Sequence, residues 1–283
     1  MLRTAVIGVG YLGRFHAQKY AHSAHCDLVA VSDIEIDQVM AVAEECHTEY
    51  VNDYRELADQ VDAVSIVTPT PLHHEVAAFF LKHGVHVLIE KPIASTLAEA
   101  TELVQLSQQH NVLLQVGHLE RFNNAFTAAQ SFIEAPCFIN CQRISPFKLR
   151  GSDVSVILDL MIHDIDLVHA LVPHPITRID AIGRQVVSKT IDIANARLHF
   201  ANGCIANLTA SRVDLASTRE MTVYQPESQL RINLANKTIQ RHAVGAAESF
   251  PGIPEIIGES FHYDQGDALR DQIDHFLNCI LQQ

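Results

Sequence analysis

Short apolar runs alternate with helix-length segments along the first 120 residues of the chain. Each run is apolar on both of its faces and is followed within two residues by a glycine, a proline or a charged residue. Runs of this kind are typical of parallel strands that are covered by helices on each side. The runs are residues 4–9, 28–31, 63–67, 85–89 and 112–116. The alternation predicts a doubly wound α/β domain.

One intervening segment carries a clear helix start. Residues 97–110 are rich in Ala, Glu, Leu and Gln, and Ser95 or Thr96 stands where a helix cap is expected. A hydroxyl at that position accepts a hydrogen bond from a free N–H group of the first turn. We therefore expect a helix that begins directly after Thr96.

The rhythm of the sequence changes after about Arg121. A helix, a strand at 138–145 and a helix from about Ser152 to Leu171 are followed by segments in which polar and apolar residues alternate. Asn202-Gly203 is a hairpin signal between two of these segments. The remaining predicted elements are strands at 191–198, 204–212, 221–224 and 230–234 and a final amphipathic helix at 266–281.

These elements predict two domains. The first, residues 1–120, is a Rossmann doubly wound parallel sheet. The second, residues 121–283, is an α+β domain with a large, mostly antiparallel open sheet that has helices on one side.

Composition excludes several classes of function. Twenty Lys and Arg against 33 Asp and Glu give a net charge of −13, which argues against general nucleic-acid binding. No run approaches the roughly 18 apolar residues that span a bilayer, so we expect no membrane insertion. The six cysteines form no C-x-x-C pair and, with no export signal, indicate reduced thiols in the cytoplasm. The 17 histidines form no zinc-binding pattern, so no metal is expected.

The strongest chemical motif is Gly8-Val9-Gly10-Tyr11-Leu12-Gly13, which stands between the first strand and a helical segment. In this context G-x-G-x-x-G permits a tight turn and lets the backbone approach a pyrophosphate at a helix N-terminus. Asp33 ends the second strand, 20 residues after Gly13. A carboxylate there accepts hydrogen bonds from ribose hydroxyls and repels a 2′-phosphate, which favours NAD over NADP. The alternative is a plain strand-to-helix turn.

Two further segments follow apolar strands and therefore lie where ligands bind in such sheets. Thr68-Pro69-Thr70 and His73 follow one strand and are expected to line the ligand-binding edge of the sheet, at the carboxyl ends of the strands. The alternative is that they form only a turn fixed by the proline. Glu90-Lys91-Pro92 places a lysine at the same edge, where it can hydrogen-bond a substrate hydroxyl. The alternative for Lys91 is an ordinary surface lysine before a helix.

The second domain offers an acid–base pair and a basic cluster. Asp159 and His163 are four residues apart, so a regular helix places them on one face, where His163 can accept the proton of an alcohol. The pair can instead be structural. Arg121, Arg143, Lys148 and Arg150 can grip a diphosphate or a carboxylate, or else be solvated charges on a strand edge.

Taken together, these motifs resemble the glucose–fructose oxidoreductase/inositol dehydrogenase family of nucleotide-dependent sugar dehydrogenases. The resemblance implies a cis Lys91-Pro92 bond, a catalytic set of Lys91, Asp159 and His163 that meets beside the nicotinamide, and homodimers or homotetramers formed through the second sheet. The cofactor-binding residues that it implies are Gly8, Gly10, Tyr11, Leu12, Gly13, Asp33, Thr68, Pro69, Thr70, His73, Glu90 and Lys91.

Two segments, residues 117–123 and 158–164, look like the branch of this family that acts on UDP-N-acetylhexosamines. That similarity implies NAD-dependent oxidation of a C3 hydroxyl, which feeds a 2,3-diamino sugar for lipid A. The implied substrate-binding residues are Lys91, His118, Arg121, Phe122, Asn123, Arg143, Arg150, Asp159 and His163.

The chain departs from this pattern in two places. Many relatives have a glycine run where this chain has Asp153-Val154-Ser155-Val156. Relatives also continue past the position of Gln283 into another helix, so either the natural protein is short or this chain is truncated. Two other functions stay open: a dehydrogenase of a free hexose or inositol with the same machinery, and a non-catalytic NAD-sensing regulator on the same fold.

Overall fold

A computed structural model describes residues 1–148 and 154–282 of the chain. The contacts within it separate two compact units: unit 1 comprises Met1–Leu119 and Asp267–Gln283, and unit 2 comprises Glu120–Gly266. The expected boundary at residue 120 lies one residue from the observed one. The expectation that everything after this boundary belongs to the second domain was wrong, because the last helix packs in unit 1.

Unit 1 contains a six-stranded sheet in which all neighbouring strands are parallel. The strand order is β3-β2-β1-β4-β5-β6, which confirms the doubly wound arrangement. The strands are β1 Leu2–Ile7, β2 Cys26–Ser32, β3 Glu49–Val51, β4 Ala63–Ile66, β5 His86–Glu90 and β6 Leu114–Gly117. The pattern of apolar residues had not revealed the short β3, since its three residues carry no apolar run.

Helices cover both faces of this sheet because successive strand side chains point to opposite sides. Val6 and Val31 belong to one apolar core, whereas Ile7 and Ile66 belong to another. The helices of unit 1 are α1 Tyr11–Ala21, α2 Ile36–Cys46, α3 Thr70–Lys82, α4 Leu97–Gln109 and, from the end of the chain, α7 Ala268–Leu281.

The local start of α4 is as expected. Thr96 accepts a hydrogen bond from the backbone of Glu99, and the Glu99 side chain accepts one from the Thr96 backbone. This reciprocal capping box satisfies two N–H groups that the first turn leaves without helical partners.

The helix α7 is buried on one face only. Leu269, Ile273 and Phe276 pack in the same core as Val6 and Leu88. This tertiary contact assigns the end of the chain to unit 1, and nothing in the local sequence of the helix encodes it.

Unit 2 contains an eight-stranded sheet with the order β14-β13-β12-β11-β7-β10-β9-β8. The pairing of β7 with β10 is parallel, and the remaining neighbours are antiparallel, which confirms the expected mostly antiparallel sheet. The strands are β7 Phe138–Ile144, β8 Ile176–Arg184, β9 Ile193–Phe200, β10 Ile205–Ser211, β11 Thr218–Gln225, β12 Ser228–Asn233, β13 Thr238–Phe250 and β14 Ile253–His262.

The helices of unit 2 are α5 Asn124–Ala129 and α6 Ile162–Leu171. Leu167 of α6 and Phe126 of α5 pack in one core with Ile139 and Leu208 of the sheet. The hairpin predicted at Asn202-Gly203 joins β9 and β10, where Gly203 adopts φ +86°. Among residues 1–148 and 154–282, no helix is long and apolar enough to cross a membrane.

Candidate active site

The glycine loop after β1 has the shape that a dinucleotide requires. Gly8 has φ +86°, and a Cβ added there would lie 2.8 Å from the backbone nitrogen of Thr68. A Cβ on Gly13 would overlap the carbonyl oxygen of Gly8, so both positions exclude a side chain. Gly10 is open, with nothing within 4 Å of an added Cβ, and it gives α1 no side-chain cap. An open backbone at an uncapped helix N-terminus fits a pyrophosphate.

Asp33 follows β2 directly and holds the same loop. One carboxylate oxygen accepts hydrogen bonds from the Val9 backbone nitrogen at 2.7 Å and from the Gln38 amide at 3.3 Å. The other oxygen accepts one from the backbone of Glu35 at 3.1 Å. The carboxylate is thereby fixed beside the glycine loop, where its remaining acceptor capacity fits a ribose diol.

The loop after β4 contributes a buried hydroxyl. In the part of the chain that the structure describes, Thr68 Oγ1 is buried and has no hydrogen-bond partner. A buried polar atom without a partner is costly, so a ligand or a water that binds it stabilises the loop. Pro69 precedes α3 and Thr70 begins it.

His73 is buried and lies against two backbone carbonyl groups, which favours a structural role over the expected role in binding the cofactor. The residue is 1% exposed. Its Nδ1 lies 2.8 Å from the carbonyl oxygen of Pro92, and its Nε2 lies 2.8 Å from that of Thr68. Both ring nitrogens are therefore engaged by backbone groups, and the residue acts on the loops rather than on a ligand.

Glu90, Lys91 and Pro92 follow β5 at the same edge of the sheet. The Lys91-Pro92 peptide bond is cis, as the resemblance implied. The backbone nitrogen of Lys91 donates to Glu90 Oε2 at 3.3 Å. A Cβ on Gly117 would lie 2.6 Å from Glu90 Oε1, so a side chain at this position would displace the carboxylate.

In unit 2, Asp159 and His163 do not lie on a regular α-helix. Residues Ile157–Met161 form a π-helical turn, and α6 begins at Ile162. The expected i, i+4 geometry is thus corrected, because a π turn has more residues per turn than an α-helix. Such turns occur frequently at functional sites. Ser152, where the helix was expected to begin, lies outside the described residues.

Arg143 forms buried ion pairs within unit 2, which contradicts its expected role in binding the substrate. Its side chain is 3% exposed and lies 2.8 Å from Glu120 and 2.8 Å from Asp164. Burial raises the pKa of Asp164, and the ion pair with Arg143 offsets only part of that rise. Asp164 directly follows His163, so this buried cluster fixes the start of α6.

Asn123 is likewise structural, which corrects a second expected substrate contact. It is 7% exposed, its Oδ1 accepts from the Ala125 backbone, and its Nδ2 donates to the carbonyl of Leu234. Arg121, in contrast, keeps a half-exposed side chain that makes a two-point ion pair with Asp166.

The other residues expected to bind the substrate differ in their exposure to solvent. His118 and Phe122 are half-buried, and Lys148 is exposed. Arg150 lies outside the described residues, so its expected role is not tested. In residues 1–148 and 154–282, no three potential ligands are grouped as a metal site.

Sequence reasoning missed a buried ion pair between Asp192 and Arg212, which are 2.9 Å apart. Burial by itself raises the pKa of Asp192, but hydrogen bonds from the Ser188 hydroxyl and three backbone N–H groups outweigh it and hold the pKa well below its usual value. Arg212 also donates to the carbonyl of Val154, just before the turn that carries Asp159. The only sequence signal was a carboxylate between two isoleucines at the start of the strand predicted at 191–198.

Comparison with known families gives matches in both parts of the chain. Residues 2–118 match the GFO_IDH_MocA oxidoreductase family, described as having an NAD-binding Rossmann fold. Residues 145–231 match the GFO/IDH/MocA C-terminal domain.

Individual relatives match over nearly the whole chain. A UDP-N-acetylglucosamine 3-dehydrogenase of Acidithiobacillus ferrooxidans is 39% identical over 280 residues, 99% of this chain and 88% of that protein. Its solved structure has a TM-score of 0.91 and covers 99% of this chain and 89% of that one. A scyllo-inositol 2-dehydrogenase (NAD⁺) of Bacillus subtilis is 29% identical over an alignment that covers 99% of this chain and 86% of that protein.

Proposed function

Since the chain belongs to the GFO/IDH/MocA family of NAD-binding oxidoreductases, we propose that it oxidises the C3 hydroxyl of UDP-N-acetylglucosamine. The product is the 3-keto sugar nucleotide. The observation that carries this proposal is the 39% identity to the UDP-N-acetylglucosamine 3-dehydrogenase across 99% of the chain. A 3-ketone is a substrate for transamination, so the product would feed a 2,3-diamino sugar of the kind found in lipid A.

The cofactor is NAD, which accepts a hydride, that is, a proton together with two electrons, when an alcohol is oxidised. In this proposal Gly8, Gly10 and Gly13 receive the pyrophosphate, and the fixed carboxylate of Asp33 binds the ribose diol. The buried hydroxyl of Thr68, Tyr11 and Leu12 at the start of α1, and the Pro69-Thr70 and Glu90-Lys91 segments complete the proposed cofactor-binding set.

The proposed catalytic set divides the proton chemistry among three residues. His163 accepts the proton of the substrate hydroxyl, and Asp159 orients the imidazole and balances its charge. The ammonium group of Lys91 hydrogen-bonds the reacting oxygen and stabilises negative charge that develops on it.

Recognition of the UDP group is assigned to the expected substrate residues other than the catalytic set and the buried Asn123 and Arg143. This role is proposed for the half-exposed guanidinium of Arg121, for the side chains of His118 and Phe122, and for Arg150. A guanidinium binds a phosphate at two points, which suits a diphosphate linkage.

The experiment that tests the function measures NADH formation by the purified protein. UDP-N-acetylglucosamine is compared with UDP-N-acetylgalactosamine, N-acetylglucosamine 1-phosphate and scyllo-inositol. We expect turnover with the first substrate and a product that carries a carbonyl at C3. Absence of NADH formation with every UDP-sugar would overturn the proposal.

Matched variants test the assigned roles. His163→Ala should lower kcat by about 100-fold or more if His163 is the base, whereas the exposed His169→Ala on the same helix should leave kcat unchanged.

Lys91→Ala should likewise reduce kcat, with the exposed Lys82→Ala as its control.

A second candidate, oxidation of an inositol, is favoured by the 29% identity to the scyllo-inositol 2-dehydrogenase. A ligand that binds only the native state raises the unfolding temperature. Stabilisation by UDP alone supports the nucleotide-sugar substrate, whereas stabilisation by scyllo-inositol without any by UDP supports the alternative. Stabilisation by NAD with no turnover of any polyol would instead support a regulator.

We also propose that the protein forms a homodimer or homotetramer through the face of the unit 2 sheet opposite to α5 and α6. On this outward face, Ile182, Tyr224, Val244 and Ile256 are 57%, 40%, 40% and 60% exposed. Between them lie Thr222 and the charged residues Glu220, Arg231 and Arg197. The exposed apolar side chains around them favour burial against a second copy. The six unpaired cysteines support a cytoplasmic location.

A further inference from the structure

Two buried histidines flank the segment that carries Lys91. His16 of α1 is 0% exposed and His73 of α3 is 1% exposed. One lies against Glu90, the residue before Lys91, and the other lies against Pro92, the residue after it. All of these residues belong to unit 1.

The ring of His73 lies between two backbone segments. Both ring nitrogens lie 2.8 Å from backbone carbonyl oxygens, those of Pro92 and Thr68. A carbonyl oxygen only accepts, so an N–H group of the ring is the donor wherever such a hydrogen bond forms. The ring thus connects the end of the Glu90-Lys91-Pro92 segment to the loop after β4.

His16 ends a chain of buried polar groups that runs toward Glu90. Tyr20 Oη lies 2.9 Å from Ser65 Oγ, and His16 Nδ1 lies 3.2 Å from the same oxygen. Burial raises the pKa of Tyr20 well above its usual value, so its hydroxyl remains a donor. When Tyr20 donates to Ser65 and Ser65 donates to Nδ1, the hydrogen of the ring is on Nε2.

The Nε2 of His16 lies 3.4 Å from Glu90 Oε1, a contact within ion-pair distance that does not form a hydrogen bond. The other oxygen of Glu90 accepts from the backbone nitrogen of Lys91 at 3.3 Å. Gly117 leaves only enough room for the carboxylate, since a Cβ there would lie 2.6 Å from Glu90 Oε1. The carboxylate is thus fixed by His16 on one side and by the strand end on the other.

We propose that His16 and His73 are positioning residues that fix the Glu90-Lys91-Pro92 segment from both sides and thereby aim the ammonium group of Lys91. His73 has a second effect, because it ties this segment to the Thr68 loop. The inference rests on the proposed function, in which Lys91 hydrogen-bonds the reacting oxygen.

Asparagine and glutamine variants separate the contacts of each histidine. An Asn amide nitrogen lies near the place of Nδ1, and a Gln amide nitrogen lies near the place of Nε2. His16→Gln therefore keeps the contact to Glu90, whereas His16→Asn keeps only that to Ser65. His73→Asn keeps the contact to Pro92, whereas His73→Gln keeps only that to Thr68.

We expect kcat to fall about 10-fold or more in His16→Asn and His73→Gln, because a ~1 Å misplacement of a catalytic group has effects of up to about 100-fold. His16→Gln and His73→Asn should retain more of the turnover than their partners. In His73→Asn the loss should appear mainly as a higher KM for NAD, because the Thr68 loop is released. His74→Asn and His74→Gln are the controls, since His74 is partly exposed and pairs with the surface residue Glu102.

A further variant tests the position of the carboxylate without changing either histidine. Gly117→Ala displaces the Glu90 carboxylate, and it should lower kcat.

The outcomes are distinct. Equal turnover within each Asn and Gln pair, or unchanged turnover in Gly117→Ala, would overturn the inference while Lys91→Ala remains inactive. Full activity of Lys91→Ala would overturn the proposed role of Lys91 itself, and the inference with it.

Discussion

Arg143 has a structural role because its charged side chain is buried. It lies between two carboxylates, Glu120 and Asp164, and is almost inaccessible to solvent. Its sequence neighbours Lys148 and Arg150 suggested a surface patch, because a linear sequence does not show which face of β7 is covered. The face is covered by α6, and the guanidinium is a structural group.

Replacing Arg143 should therefore be costly. Arg143→Gln leaves two carboxylates without their buried partner, and the removal of one member of a buried ion pair costs about 3–5 kcal/mol. Urea denaturation measures the loss. Arg178→Gln, which removes an exposed pair with Asp180, should change the free energy of unfolding little. An Arg143→Gln protein as stable as this control would show that the cluster contributes nothing.

Asp192 should make stability depend on pH. Its pKa in the folded protein is well below its usual value, although burial alone would raise it, because the Ser188 hydroxyl and backbone N–H groups favour the carboxylate. An unfolded aspartate titrates near pH ~3.9, so this contribution is complete above that pH and is lost as the pH falls toward the folded pKa. Asp192→Asn should lower stability at pH 7.

The same variant should also show a shallower loss of stability between about pH 4 and pH 2 than the unmodified protein, because it lacks this ionisation. Denaturant midpoints across that range give the comparison. The exposed Asp214→Asn is the control. Parallel pH profiles for Asp192→Asn and the unmodified protein would contradict the assignment.

At the scale of the elements, the N-terminus of α4 is a case in which local sequence determines structure. Thr96→Ala removes the cap that Glu99 completes, and such a loss costs about 1 kcal/mol. Thr101→Ala, in the middle of the same helix, keeps the capping box and is the control. Equal unfolding free energies for the two variants would show that the box does not stabilise α4.

Elements that depend on local patterns were predictable, whereas those that depend on tertiary contacts were not. The glycine loop, the strand ends at Thr68 and Glu90, and the cap at Thr96 depend on residues within a few positions. The docking of α7 on unit 1 depends on Leu269 and Phe276 meeting a distant core. The π turn at Ile157–Met161 inserts a residue into a helical pattern that otherwise continues without interruption.

The candidate site follows the same division. Residue types and spacing made Gly8, Asp33 and Lys91 candidates, because these residues directly follow or end strands of the parallel sheet. The sequence could not separate Arg121, which is half-exposed, from Arg143, which is buried. Nor could it show that His16 and His73 lie on the two sides of the Lys91 segment, since α1 and α3 are distant in the chain.

At the scale of the whole molecule, the outward face of the unit 2 sheet should join two copies. Thr222→Arg places a charge in the middle of this face, and burying an unpaired charge is strongly unfavourable. Light scattering should show a lower mass for this variant. Ile36→Arg adds the same charge to an exposed position of unit 1 and should leave the mass unchanged. An unaltered mass for Thr222→Arg would place the interface elsewhere.

The central claim is that the protein transfers hydride from C3 of UDP-N-acetylglucosamine to NAD, with Lys91 and His163 in the proposed catalytic set. UDP-N-acetylglucosamine deuterated only at C3 tests it most directly, with mass spectrometry of the NADH that forms. The account predicts that the deuterium appears in the NADH of the unmodified protein and that Lys91→Ala and His163→Ala form this product far more slowly. Unlabelled NADH, or no NADH from this substrate, would contradict it.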